Sequence, residues 1–365
     1  MPACPDPADP TRGAACDCAA LRPPDALPAG LYLHSPAHHV RQLLKRAMRD
    51  QGIPHQDSPA GVFLPHPDAD ILAALLGAFT PTERAELLAA PATTPGGPPD
   101  AWQASPLERW AQQLGTPWFF PAAEQLRFHL QPIADLRSGR VYGYEALVRA
   151  DWQGDLIGAG PLLQAAAAHG QARAFDALAR RGAIRQAYPH LKPGEVLFIN
   201  FAPGVIYNPD VCLQTTFQAC REVGADFSRL LFEVTESEAF PDLNLLQRIL
   251  ERYRAEGAQV ALDDLGAGHT SLSFLDMLRP DIVKLDRALI SGVRDDDPRV
   301  LLIQALIRYA HDLGIRVVAE GVETESELRL LKELGADYAQ GYFLGRPAPV
   351  PGGLSAQSAG LWNSA

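Results

Sequence analysis

Long apolar runs are missing from this chain of 365 residues. No stretch reaches the 18 or more residues of a membrane-spanning helix. Met1 to Asp9 carry neither a basic cluster nor an apolar stretch, so no secretory leader is visible. Cysteine is scarce: Cys4, Cys16, Cys18, Cys212 and Cys220 are an odd set of five, which fits a reducing cytoplasm better than a disulfide framework. Cys4, Cys16 and Cys18 have His34, His38 and His39 nearby, but a C-x-C with a distant third cysteine is not a strong zinc spacing. We read them as free thiols. Positive charge is also short, with 32 Lys and Arg against 43 Asp and Glu, a net of -11. That argues against a nucleic-acid polymer or an anionic membrane surface as partner. A small anionic substrate stays open, because a bound cation reverses the local sign. No G-x-G-x-x-G opens a helix and no G-G-D-E-F occurs anywhere.

What is present is enough for a folded core, with 47% apolar and 21% charged residues. Residues 1–28, rich in Pro, Ala and Asp, read as a flexible tail. Residues 29–90 alternate strand and helix signals: strands at Leu31–Leu33 and Gly61–Leu64, an amphipathic helix with Val40, Leu43, Leu44 and Met48 on its apolar face, and a helix near Ile71 to Phe79. This predicts a small α/β domain, regulatory or dimerising. Pro91 to Pro99 offers no regular structure and reads as a linker, which extends over 91–118 with one short helix from about Pro106 to Leu114. Residues 351–365 read as a C-terminal tail.

From Phe128 onward the pattern becomes strand-then-helix. Apolar runs occur at Phe128–Ile133, Val141–Val148, Val196–Ile199, Leu230–Val234, Val260–Leu262, Ile282–Leu285, Val317–Ala319 and Tyr338–Leu344. Gly257 and Gly314 sit where helices should end, and Thr324 to Glu327 fits a capping box. Eight such units predict a (β/α)8 TIM-like barrel, with an open doubly wound sheet as the rival.

Toward their C-terminal ends the strands run into Glu145, Asn200, Glu233, Asp263 with Asp264, Lys284, Glu320 and Gln340. In a barrel these ends converge on one rim, where such residues read as catalytic. Glu145, Asn200, Glu233 and Asp263 are hard oxygen donors, suited to Mg²⁺ or Mn²⁺ rather than zinc or copper. Gathered carboxylates repel one another, and a divalent cation relieves that. One or two such ions would polarise a phosphoryl oxygen and activate a water.

Glu145-Ala146-Leu147, within Tyr144 to Arg149, resembles the signature of the EAL-domain family of bacterial cyclic di-GMP phosphodiesterases. So do Gln131-Pro132-Ile133, Asn200 with Pro203, Glu233-Val234-Thr235-Glu236, Asp263 to Gly268, Lys284-Leu285-Asp286, Ala319 to Thr324 and Gln340-Gly341-Tyr342. Order and spacing together cover 126–350, so residues 119–350 are identified as an EAL domain. The resemblance implies metal ligation by Glu145, Asn200, Glu233 and Asp263, with Asp264 serving a second metal and the water. It places Lys284 beside the scissile phosphate and makes Glu320 essential, as base or as metal-site organiser. Glu323 and Gln340 would support metals and water, Arg149 and Gln131 would bind substrate, and Glu236 would anchor the loop 266–272. It also implies a homodimer through the barrel.

That loop departs from the family pattern, with Leu265 for Phe, Ala267 for Thr, His269 for Tyr and Thr270 for Ser, which bears on turnover rate. The implied activity is hydrolysis of cyclic di-GMP to pGpG by a cytoplasmic enzyme. The competing reading is a catalytically silent cyclic di-GMP sensor. Silent members lose metal or base residues, and here each such position is filled.

Overall fold

A computed structural model describes residues 20–24, 28–58, 61–92, 94, 97–234, 242–266, 272–294 and 296–363. Cys4, Cys16, Cys18, Glu236 and residues 267–271 of the altered loop lie outside the described residues, as does most of the tail expected over 1–28. The chain forms two compact units, one of residues 21–124 with 160–172, the other holding 125–159 and 173–365.

The first unit is built on strands β1 (Gly30–His34), β2 (Gln56–Ser58), β3 (Gly61–Pro65), β4 (Leu88–Ala92) and β5 (Ser105–Pro106). They form one sheet in the order β2-β3-β1-β4-β5, with every pair antiparallel. Its helices are α1 (His38–Asp50), α2 (Ala69–Gly77), α3 (Pro81–Ala85), α4 (Leu107–Gly115), α5 (Phe119–Ala123) and most of α6 (Ala159–Ala168). Alternation along the strands puts Leu31, Leu33, Val62 and Leu64 into one core with Val40, Leu44 and Met48 of α1. Leu43, expected on the same helix face, is exposed.

The linker expected from Pro91 starts later than the sequence suggests. Pro91 and Ala92 complete β4, and Leu107 and Trp110 of α4 are buried in this unit's core. Proline is tolerated because its carbonyl accepts from the Asp100 amide, so its nitrogen points to that side and no β1 ladder bond is lost. α6 comes from within the barrel's stretch of sequence, yet Arg109 Nε donates to the Ala168 carbonyl at 2.9 Å and His169 stacks on Phe119.

The second unit holds β6 (Leu126–Asp135), β7 (Val141–Trp152) and the short β8 (Asp155–Ile157), then α7 (Ala172–Ala187) and β9 (Val196–Phe201). It continues through α8 (Pro209–Cys212), α9 (Gln214–Glu222), β10 (Leu230–Val234), α10 (Leu243–Ala255), β11 (Gln259–Leu265), α11 (Leu272–Leu278) and β12 (Ile282–Leu285). Last come α12 (Arg287–Ile290), α13 (Arg299–Asp312), β13 (Arg316–Ala319), α14 (Glu325–Glu333), β14 (Tyr338–Gln340) and α15 (Ala356–Asn363).

Eight strands follow the order β6-β14-β13-β12-β11-β10-β9-β7, and β6 pairs with β7 to close the barrel. The expected TIM-like barrel is present with one variation: β6 runs antiparallel to both neighbours. The cause is local. Asp135 accepts from the Arg137 and Ser138 amides, and Gly139 takes φ 68°, so β6 and β7 join as a hairpin rather than through a helix. The C-terminal segment expected as a tail contains α15, whose Trp362 donates from Nε1 to the Leu136 carbonyl at 3.1 Å.

Strand periodicity then fills the barrel in layers. At the floor, Arg316 donates to the Tyr142 and Tyr338 hydroxyls, each at 3.0 Å, and to Gln259 Oε1 at 2.6 Å. Above it lies an apolar layer of Ile133, Phe198, Leu231, Ala261, Ile282 and Val318. Two residues further up the barrel, forward along the parallel strands and backward along the reversed β6, the same inward direction delivers Gln131, Asn200, Glu233, Asp263, Lys284 and, just past β13, Glu320.

Candidate active site

Lys284 is the hub of that third layer. It is 1% exposed, and its Nζ lies 2.6 Å from Glu320 Oε1, 3.0 Å from Glu233 Oε1, 3.2 Å from Asp263 Oδ1 and 3.9 Å from Glu145 Oε2. Burial opposes its charge, but the surrounding carboxylates outweigh that and hold its pKa well above the ordinary lysine value.

The carboxylates differ because their donors differ. Burial works against the charge of Glu145, but Lys284, Gln340 and Asn200 overcome it and lower its pKa. The two amides donate to it at 2.7 Å each, Asn200 Nδ2 to Oε1 and Gln340 Nε2 to Oε2. Gln340 Nε2 also reaches Gln131 Oε1 at 3.1 Å, and Gln131 donates to the Gly345 carbonyl at 3.2 Å. Glu233 has the Lys284 charge but no such amide donors. It is 0% exposed, and neither oxygen has a hydrogen-bond partner among the described residues, Lys284 serving only as an ion-pair contact. Burial therefore pushes it well up. Burial likewise raises Asp263, pushes Glu320 up to about 8, and together with the neighbouring Asp263 pushes Asp264 up to about 6.

Asp263 and Asp264 are consecutive, so a regular strand would aim them at opposite faces. β11 instead carries a register shift between Leu262 and Leu265, and Asp264 adopts φ 59°, a left-handed conformation that costs about 1–3 kcal/mol for such a residue. The irregularity brings oxygens of Asp263, Asp264 and Glu320 within 4.8 Å of one another.

Of the remaining sequence-derived candidates, Glu236 lies outside the described residues, whereas Arg149 and Glu323 have definite places. Arg149 shares a strand face with Glu145 four residues earlier, and its charge helps lower Glu145. Glu323 does not join the carboxylate cluster; it pairs with Arg287 at 2.7 Å on the rim. Glu323 and Arg287 line a cavity of about 230 Å³ with Gln131, Glu145, Glu320, Gln340 and Tyr342. Arg287 was not singled out from sequence, although it lies three residues past Lys284, directly after the helix-capping Asp286.

Glu327 was expected only as half of a capping box. It is buried and accepts from the Glu323 and Thr324 amides at 2.8 and 2.9 Å and from the Gly292 amide at 2.7 Å. It thus ties the chain after Glu320 to the segment after Lys284. Burial raises its pKa, but the three amides win and lower it below the ordinary glutamate value of 4.5. A lowered carboxylate stabilises the fold above that value and loses its contribution as pH falls through the folded pKa. Glu327→Ala is expected to cost about 2–3 kcal/mol, and Glu327→Gln to flatten the acid limb of the stability curve. Thermal melts between pH 3 and 7 check this; an acid limb unchanged in Glu327→Gln would remove Glu327 from the account.

The EAL-domain family matches residues 119–347. The chain belongs to the EAL-domain family.

Among its relatives is the cyclic di-GMP phosphodiesterase NbdA of Pseudomonas aeruginosa, 33% identical over 62% of this chain and 29% of the relative. The standalone EAL protein of Vibrio cholerae O395, solved with c-di-GMP bound, is 31% identical with a TM-score of 0.58, over 64% of this chain and 98% of that one. Klebsiella pneumoniae BlrP1, solved with manganese and cyclic di-GMP, is 31% identical with a TM-score of 0.58, over 63% and 57% of the two chains. The match spans about a third of the length of the curated relatives. No helix among the described residues of this EAL protein is long and apolar enough to cross a membrane.

Proposed function

We propose that this EAL protein is a divalent-cation-dependent phosphodiesterase that opens cyclic di-GMP to linear pGpG. One observation carries the reading: the fully buried Glu233, with both oxygens lacking hydrogen bonds, faces one lysine in a ring of carboxylates. Such an arrangement is costly unless a cation completes it. The donors are all oxygen, as Mg²⁺ or Mn²⁺ require. Glu145, Asn200, Glu233, Asp263 and Asp264 would hold one or two such ions.

When bound, the cations supply charge neutralisation at the phosphoryl oxygens and acidify a water. The chain's residues do the rest. Gln340 and Gln131 hold Glu145 in one rotamer through the amide chain described above. Arg149 binds a substrate phosphate. Glu320 takes a proton from the attacking water, which bonds to phosphorus as the bond from phosphorus to the ribose 3′ oxygen breaks. Lys284 offsets the charge that builds on the phosphoryl oxygens. The leaving 3′ oxygen takes up a proton, giving a 3′ hydroxyl and a 5′ phosphate.

In this reading the protein is cytoplasmic and acts as a homodimer through the barrel, and the first unit is regulatory or dimerising. The test is turnover of cyclic di-GMP by the full chain with Mn²⁺, followed as pGpG release, with thermal melts in parallel. Mn²⁺ at about 100 times its Kd should stabilise the protein by about 2.7 kcal/mol. Nucleotide binding without product would assign the domain to the silent sensors. No Mn²⁺ effect on melting would remove the metal reading.

A further inference from the structure

Asp176 on α7 is 6% exposed and belongs to none of the site segments above. Its Oδ2 accepts from Arg180 Nε at 2.9 Å and pairs with Nη2 at 2.8 Å, and Arg180 is itself 2% exposed. Arg180 also donates through Nη1 to the buried Thr216 Oγ1 of α9. The other carboxylate oxygen of Asp176 does something different: Oδ1 accepts the Ala202 amide at 2.9 Å.

That amide comes just past the last register pair between β9 and β10, Phe201 with Val234. Beyond it the chain turns into the short helix Pro203–Val205, and among the described residues no strand neighbour holds the Ala202 amide. Two residues earlier stands Asn200, whose side chain meets Glu145 at 2.7 Å. A buried ion pair is weak evidence for stability, because desolvation offsets most of its attraction. What this one provides is a fixed acceptor at the point where the ladder stops. Glu327 does the same for the chain after Glu320.

We propose that Asp176 is a positioning residue for the metal site, with Arg180 fixing its rotamer so that Oδ1 pins Ala202 and sets the reach of Asn200. The inference rests on the reading of Asn200 as a metal ligand. Groups that orient metal ligands from behind usually change metal affinity by about 10–100-fold when lost.

Two double variants isolate the amide bond from the ion pair. Asp176→Asn with Arg180→Met removes both charges but keeps an oxygen acceptor for Ala202. Asp176→Leu with Arg180→Met removes both charges and the acceptor. Mn²⁺ titration by calorimetry should show the leucine form binding about 10–100-fold more weakly than the asparagine form. Their melting temperatures should stay within a few degrees of each other. Should the leucine form not fold, Ala202→Pro deletes the amide donor while moving φ from -95° by about 30° toward proline's usual value, and the same loss is expected.

Equal Mn²⁺ affinity in the compared forms, with wild type binding and Asn200→Ala impaired, would overturn this inference and leave the site reading intact. Wild type that binds no Mn²⁺, or Asn200→Ala that binds like wild type, would overturn the site reading and this inference with it.

Discussion

Glu320→Gln is expected to lower kcat for cyclic di-GMP hydrolysis by about 10²–10⁴-fold, the usual worth of a general base. Glutamine keeps the length of the side chain and an oxygen facing Lys284, now 2.6 Å away, so the barrel should fold. The loss would be chemical. Burial pushes Glu320 up to about 8, with Lys284 pulling down and Asp263 and Glu145 pushing up. A base in that range sits close to working pH, where proton transfer is efficient. The sign of the pH dependence follows: the carboxylate form dominates only above its pKa, so the rate should climb with pH through the acidic limb. Bound cations favour the ionised form, so more Mn²⁺ should move that limb to lower pH.

The variant also separates the two roles that family resemblance leaves open for Glu320. A base that is lost leaves Mn²⁺ affinity nearly unchanged and abolishes the limb. A lost metal-site organiser weakens Mn²⁺ binding, as its closeness to Asp263 and Asp264 would suggest. Activity within about threefold of wild type would contradict both roles, since either should cost far more.

Most of this site was legible because strand periodicity is simple. An apolar residue followed two positions later by a polar one, as in Leu231 with Glu233 or Ile282 with Lys284, shows the core layer and then the mouth. Alternation alone fails at Asp263 and Asp264, where the left-handed residue and the register shift bring both carboxylates to one side. Both were read as strand-end residues, but only the family resemblance gave Asp264 a place at the metals. The β6–β7 hairpin was missed because its signal is a short turn, Leu136 to Arg140, held by Asp135 and Gly139 within a strand-helix rhythm. Pro91 misled for the opposite reason, since a proline-rich stretch hid a strand end whose ladder bonds face away from its nitrogen. Asp176 left no local sequence signal, and Glu327 showed only its capping-box half, not its bond to the Gly292 amide. Their roles come from amides 26 and up to 35 residues away.

Lys284→Met tests the electrostatics of the whole ring. Removing one partner from a buried charged group typically costs about 3–5 kcal/mol, because the groups left behind stay desolvated. Here the ammonium faces four carboxylates, so the metal-free variant should melt on the order of 10 °C lower, at about 2–4 °C per kcal/mol for a domain of this size. Turnover should also fall by about 10²–10³-fold if Lys284 stabilises the phosphoryl charge.

The sign with pH is opposite to ordinary acid denaturation. Asp264 rises from 3.8 to about 6 and Glu320 from 4.5 to about 8, so the folded state binds those protons more tightly than the unfolded one. Their contribution is fully present below about pH 4 and is lost as pH rises through about 6 and then 8. Metal-free wild type should therefore lose stability across that window, and Lys284→Met should lose more. Mn²⁺ should restore both, since a divalent cation replaces the missing proton and ammonium charge. Melting curves from pH 5 to 9, with and without Mn²⁺, read all three effects. Metal-free curves flat with pH, or a Lys284→Met protein as stable as wild type, would show that the carboxylates are already relieved without a cation, and the case for a metal in this ring would fall with them.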